Sequence, residues 1–128
     1  VRAALLDTSV VIAGAHGKVS VSSLPPEGAI SIVTLCELHH GVLAATDEQR
    51  PGRLLTLDLA QRSFKAIPVD LRVAPWFGRL MAATRRASGA RPGVADALIA
   101  ATAMAHDLPV LTCDRDFEAL PGVELIFA

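Results

Sequence analysis

Residues 3–13 read Ala3-Ala4-Leu5-Leu6-Asp7-Thr8-Ser9-Val10-Val11-Ile12-Ala13. The four apolar residues make a short strand, Asp7, Thr8 and Ser9 form the polar turn that ends it, and Val10 to Ala13 start a helix that breaks at Gly14. Similar alternation follows. After a looser piece with Pro25, Pro26 and Gly28, the run Ala29 to Val33 is β-branched enough to be a buried strand, and Thr34 opens a helix. A helix is expected from about Arg53 to Lys65, past the interruption at Pro51-Gly52, and a short strand over Ala66 to Val69. Leu71 to Ala87 is amphipathic, with Val73, Trp76, Phe77, Leu80, Met81 and Thr84 at helical spacing, and stops at Ser88-Gly89. Another helix runs from Pro92 to about Asp107. Pro109 to Thr112 is a strand, Asp114 to Leu120 a helical turn ended by Pro121-Gly122, and Val123 to Phe127 a last strand. Short apolar strands alternating with longer helices imply an α/β fold, a central parallel β-sheet flanked by helices on both faces.

Composition agrees with one domain. The chain has 128 residues, of which 52% are hydrophobic and 20% charged, with a formal charge of −1. A chain of this size buries roughly 68% of the surface that its unfolded form exposes, so it needs no disulfide or metal staple. Disorder, collagen repeats and disulfide scaffolds are excluded. Cys36 and Cys113 are far apart and read as reduced thiols in apolar surroundings, which points to a cytoplasmic protein. The apolar stretches Val10 to Ala15 and Leu98 to Ala105 fall short of the roughly 20 residues of a membrane span. Asp7 interrupts what would otherwise imitate a secretory signal, so the chain is read as mature. The balanced charge argues against global attraction to nucleic acid but leaves room for a local basic rim.

Four acids are placed where chemistry is expected: Asp7 after the first strand, Glu37 and Asp96 in the first turns of helices, and Asp114 after the strand ending at Thr112. In a parallel sheet the carboxyl ends of strands and the N-termini of the following helices share one edge, where ligands bind at the reversal of strand order. Taken singly, each acid has a plain role. Asp7 and Asp114 read as N-caps, Thr34-x-x-Glu37 as a capping box, and Asp96 as a complement to a helix dipole. Gathered together they repel, by roughly 4 kcal/mol per pair at about 4 Å and an effective dielectric of about 20. A hard dication removes that cost. Oxygen ligands without a paired His/Cys set point to Mg²⁺, with Mn²⁺ as a substitute, and such ions polarise phosphoryl oxygens and activate water.

Asp116 is a fifth candidate, with a plain reading as a solvated first-turn acid. The hydroxyls of Thr8, Ser9 and Thr112 are placed to orient the carboxylates. Arg79, Arg85, Arg86 and Arg91 crowd the helix end before Asp96, and Arg115 lies between Asp114 and Asp116, so phosphate contact competes with the role of a solvated face. A soft-metal site from Cys36, Glu37, His39 and His40 lacks C-x-x-C or H-x-x-x-H spacing. Trp76, Phe77, Leu80 and Met81 read as core or a self-association face, since aromatics total only 4% and no base-stacking platform is evident. Nucleophile-elbow, dinucleotide and Walker A patterns are absent.

Together, Asp7-Thr8-Ser9, Glu37 in a helix after the second strand, Asp96 in Gly93-Val94-Ala95-Asp96-Ala97-Leu98-Ile99-Ala100-Ala101, and Thr112-Cys113-Asp114-Arg115-Asp116-Phe117 resemble PIN-domain nucleases. The resemblance is closer still to VapC-type toxins and runs in order over residues 3 to 117. It implies a single PIN-like domain over residues 1–128 and a Mg²⁺-dependent endoribonuclease that cuts structured RNA such as tRNA or rRNA. It also implies a small VapB-type antitoxin as partner, and a homodimer. Carried over by residue, Asp7 and Asp96 are the principal metal ligands, Glu37 completes or orients the site, and Asp114 fills the fourth acidic place. Asp116 matches a further acid. Many relatives read Thr-Arg-Asn-x-x-Asp-Phe where this chain reads Thr-Cys-Asp-Arg-Asp-Phe. Whether Asp114 or Asp116 faces the metal is thus open, with Asp114 favoured. Arg85, Arg86, Arg91 and Arg115 are the substrate-binding candidates. Two other readings stand beside this one: a receiver-like Mg²⁺-binding signalling module, disfavoured because Lys18 and Lys65 are the only lysines, and a metal- or partner-binding domain without turnover.

Overall fold

A computed structural model describes residues 1–128. Five strands, β1 (Ala3–Leu6), β2 (Glu27–Ser31), β3 (Lys65–Ile67), β4 (Val110–Thr112) and β5 (Leu125–Phe127), alternate with five helices. The helices are α1 (Thr8–Ala15), α2 (Ile32–Ala44), α3 (Arg50–Ser63), α4 (Ala74–Ser88) and α5 (Val94–Ala105), and 3-10 turns occupy Val21–Ser23 and Arg115–Ala119. The strands form one sheet in the order β3-β2-β1-β4-β5. Every pairing is parallel. The order reverses beside β1: the chain leaves it for β2 on one side and returns to β4 on the other. The sheet is therefore open to ligands at the carboxyl ends of β1 and β4.

Period-two alternation divides β1 between two cores. Leu5 points into one with Ala97, Ile99, Ala100, Val110 and Phe117. Ala4 and Leu6 point into the other, with Val10, Ile30, Leu38, Leu57 and Leu111. Both faces are thus covered by helices, and strands buried on both sides carry the near-continuous apolar runs that made them legible. No helix is long and apolar enough to cross a membrane.

Several boundaries differ from those that the sequence predicts. Helix α2 begins at Ile32, not Thr34. Ser31 is its N-cap, its hydroxyl accepting the Val33 N–H at 3.1 Å, while Thr34 is fully buried inside the helix. The capping box at Thr34-x-x-Glu37 is therefore absent, and Glu37 lies in the second turn. Pro51 does not interrupt α3 but begins it, occupying its first turn, where a missing N–H costs nothing. Pro92 stays outside α5, whose N-cap is Gly93, and Gly14 lies within α1. Helix α4 starts at Ala74, three residues after Leu71. Both thiols are free, as expected, but Cys36 and Cys113 are exposed and not set in apolar surroundings. Of the apolar stripe on α4, Leu80 is buried, and Phe77 and Met81 pack at the edge of the core; Trp76 lies under the Arg79 guanidinium at 5.1 Å.

Ser31 links the cap of α2 to the core, since its hydroxyl also lies 3.4 Å from that of Thr102. Ser31→Ala is expected to lower stability by about 1 kcal/mol, the usual cost of a lost N-cap. A lower urea midpoint at unchanged m-value is the measurement; an unchanged midpoint places the helix start elsewhere.

Candidate active site

Asp7 follows directly on β1 and caps α1, its Oδ1 accepting the Val10 N–H at 3.2 Å. The plain capping role and the site role are thus combined in one side chain. It is only 3% exposed, and a buried carboxylate needs partners. The Ser9 hydroxyl donates to Oδ1 at 2.6 Å, and the Thr112 hydroxyl, from the end of β4, donates to Oδ2 at 2.9 Å. Each hydroxyl also accepts a backbone N–H from the segment beyond β4. Ser9 Oγ takes that of Cys113 at 3.1 Å and Thr112 Oγ1 that of Asp114 at 2.8 Å. The orienting role expected of Ser9 and Thr112 is therefore met on Asp7.

The same chain segment places the next acids. Asp114 caps the 3-10 turn, its Oδ1 accepting the Asp116 N–H at 2.8 Å, and buried Phe117 anchors that turn in the core. Asp96 occupies the first turn of α5. Glu37 is exposed on α2, and its Oε1 accepts the Thr8 hydroxyl at 2.7 Å; that hydroxyl also lies 3.1 Å from that of Thr34. The orienting role expected of Thr8 is thus met on Glu37, while the Thr34 contact depends on the packing of α1 against α2 and was not visible in the sequence.

Electrostatics show that the acids are neighbours. Asp96 is pushed up to about 6, first by burial and then by the negative charges of Asp114, Glu37, Asp7 and Asp116, in falling order. Asp7 is also raised, by burial foremost; its three hydrogen bonds oppose the rise and Asp114 adds to it. None of the five acids forms an ion pair: the four salt bridges are Arg2–Glu27, Arg50–Asp47, Arg62–Asp58 and Arg115–Glu118. Three or more carboxylates do not close on a common point in this arrangement, so they act on one another at longer range than direct contact. Carboxylate oxygens without a paired His/Cys set are the donor type that a hard dication such as Mg²⁺ takes.

Arginines border the acids unevenly. Arg91 and Arg115 line a hollow of about 580 Å³ together with Asp96 and Asp116. Arg115 is braced there, paired with Glu118 at 3.3 Å and lying 3.8 Å over the Phe127 ring. Arg85 lines an adjoining groove that Arg91 shares. Arg86, in the last turn of α4, is exposed and lines neither. Glu37 lines a separate hollow with Arg53 and His16, two residues that the sequence did not single out. Cys36, His39 and His40 are exposed and form no metal-binding group.

The sequence over residues 4–123 matches the PIN domain family. It is 40% identical to ribonuclease VapC4 of Mycobacterium tuberculosis over 133 residues, covering 98% of this chain and 97% of the relative. It is 42% identical to ribonuclease VapC5 of the same organism over 129 residues, covering 97% and 94%. The crystal structure of VapBC-5 from M. tuberculosis superposes with a TM-score of 0.81 at 39% identity, covering 99% of this chain and 98% of that one. VapBC2 from Rickettsia felis, solved on a DNA fragment from its promoter, shares the fold with a TM-score of 0.82 at 21% identity, covering 98% of each chain.

The Asp96 carboxyl gives a pH dependence with a definite sign. Its pKa rises from 3.8 unfolded to about 6 folded, so over that interval the native state binds more protons than the unfolded state. Stability of the metal-free protein then falls as pH rises through the interval, and the loss is complete above it. Urea midpoints in EDTA are expected to decline from about pH 4 to about pH 6, and Asp96→Asn is expected to flatten the decline, with Asp7 leaving a remainder of the same sign. A profile that rises over this range, or one unaffected by Asp96→Asn, contradicts the assigned surroundings.

Proposed function

This chain belongs to the PIN-domain family and is a VapC ribonuclease toxin of a VapBC toxin–antitoxin system; on that premise we propose that it hydrolyses phosphodiester bonds in structured RNA, such as tRNA or rRNA, with Mg²⁺ at its acidic cluster. PIN-domain nucleases are typically metal-dependent. Asp7 and Asp96 would be the principal ligands, Asp114 and Glu37 would complete or orient the site, and Asp116 would stand behind them. Mn²⁺ would substitute. Residues 1–128 would act as one domain, in the cytoplasm.

Support comes above all from one feature: acids from three other stretches of chain raise the pKa of Asp96 while no Lys or Arg pairs with any of them. A dication held by these acids would supply Lewis-acid polarisation of a phosphoryl oxygen and an activated water. The remaining work falls to the protein. Ser9, Thr112 and the Val10 N–H hold Asp7 in one orientation, so that reorganisation is small when charge develops on the phosphate. Thr8 holds Glu37. Arg91 and Arg115, in the hollow with Asp96 and Asp116, would steady the RNA backbone by charge-assisted hydrogen bonds, and Arg85 and Arg86 would extend that contact from the end of α4.

The partner follows from the same charge problem. A VapB-type antitoxin would cover apolar surface and bring a basic side chain against the acids, supplying by another route the positive charge that the cluster lacks. The toxin itself would pair as a homodimer.

Asp7→Asn and Asp96→Asn are each expected to reduce cleavage of a bacterial RNA pool by at least about 100-fold, and Thr112→Val by about 10- to 100-fold. EDTA should stop the reaction, and Mg²⁺ or Mn²⁺ should restore it. Sequencing of RNA ends reads the cut, and circular dichroism checks the fold. Undiminished cleavage by the two folded Asp variants refutes the assignment.

A further inference from the structure

On the Glu37 side of the acids lies a hollow of about 410 Å³ whose wall includes Thr8, His16, Glu37 and Arg53. The guanidinium of Arg53 is already fixed. Its Nη1 donates to the Gly41 carbonyl at 2.8 Å, among the last four carbonyls of α2, which have no partner within the helix. That accounts for one of five N–H donors, and Arg53 has no carboxylate partner. Arg50, one turn earlier, differs. It is spent on structure, donating to the Val42 and Ala45 carbonyls and to Asp47.

A guanidinium held by one bond, with donors unspent, beside the His16 imidazole, has the chemistry of a phosphate seat. The two hollows share the acids between them: Glu37 lines this one, and Asp96 and Asp116 line the one with Arg91 and Arg115. A strand of RNA that crosses the acids with cations on only one bank would meet Glu37 uncompensated on the other. Arg53 is the residue that offsets it. We propose that the hollow between α1, α2 and α3 holds a backbone phosphate of the RNA, seated on Arg53 and His16, on the opposite side of the scissile bond from Arg91 and Arg115. This rests on the acids being the cleavage centre.

The test is binding, measured in EDTA so that catalysis plays no part. Anisotropy of a fluorescein-labelled single-stranded oligoribonucleotide of mixed sequence is followed from about 50 to about 200 mM salt for the full chain. Arg53→Gln is expected to reduce the slope of log K against log salt by about 0.7, the value for one lost phosphate contact on a single strand. Gly41→Glu provides a second route that keeps Arg53 and its helix. A Cβ at Gly41 would stand 3.8 Å from Arg53 Nη1, ordinary contact, and the new carboxylate should neutralise the seat and lower the slope likewise. Arg50→Gln, which removes a structural cation of the same charge, should leave the slope unchanged. An unchanged slope in a folded Arg53→Gln or Gly41→Glu protein overturns the proposal, as does an equal loss in Arg50→Gln. Because no metal is present, these results are separate from the cleavage centre, whose failure would appear as RNA cleavage by Asp7→Asn.

Discussion

The carboxylate of Asp7 is held at once by Ser9, by the Val10 N–H and by Thr112, and this set of bonds joins the first strand to the fourth. Thr112 reaches Asp7 because β1 and β4 pair in register, Leu6 against Leu111. Ser9 and Thr112 donate to the carboxylate and accept N–H groups from Cys113 and Asp114. The path of the chain into the Asp114 turn is therefore set by the same two hydroxyls that orient Asp7. Three hydrogen bonds favour the ionised form, yet burial outweighs them and the pKa is raised. The site is positioned by groups that satisfy a buried acid only in part, and the unmet remainder is what a cation answers.

Much of this was legible in the sequence. Strands buried on both faces leave apolar runs that need no knowledge of their neighbours, so Leu5, Ile30 and Val110 announce the sheet, and an acid just after such a run announces its carboxyl edge. Helix starts were less legible. Thr34-x-x-Glu37 satisfies a capping pattern, but Ser31 lies closer to the end of β2 and takes the cap, leaving Thr34 to face Thr8. A local motif cannot reveal which of two hydroxyls the strand will deliver to the helix end. Pro51 misled for a similar reason, since a proline breaks a helix or begins one according to where the preceding turn ends.

The residues left unread share one property. Arg53 and His16 reach the site through the packing of α3 and α1 beside α2, and no spacing within any one element encodes that. The acids are different, because a parallel sheet brings every strand end to one edge whatever the helices do. Topology alone gathers Asp7 and Asp114, which follow β1 and β4; Asp96 on α5 and the banks on either side depend on how helices pack, and only coordinates supply them.

The gathering of acids sets stability against function. With its neighbours ionised, Asp96 resists ionisation, so the metal-free fold carries a repulsion that an amide in its place would remove. A sequence selected for stability alone would not keep five acids at one edge of a sheet with all its arginines on other duties or along the borders. The repulsion also makes the site responsive. Any group that brings positive charge to the cleft binds the native state in preference to the unfolded one and stabilises it by linkage, whether the charge is a divalent ion or a basic side chain of a partner. Each such occupant that relieves the repulsion leaves less of it to drive binding of the other. Competition between them follows from the electrostatics of the acids themselves, without any change of shape to carry a signal.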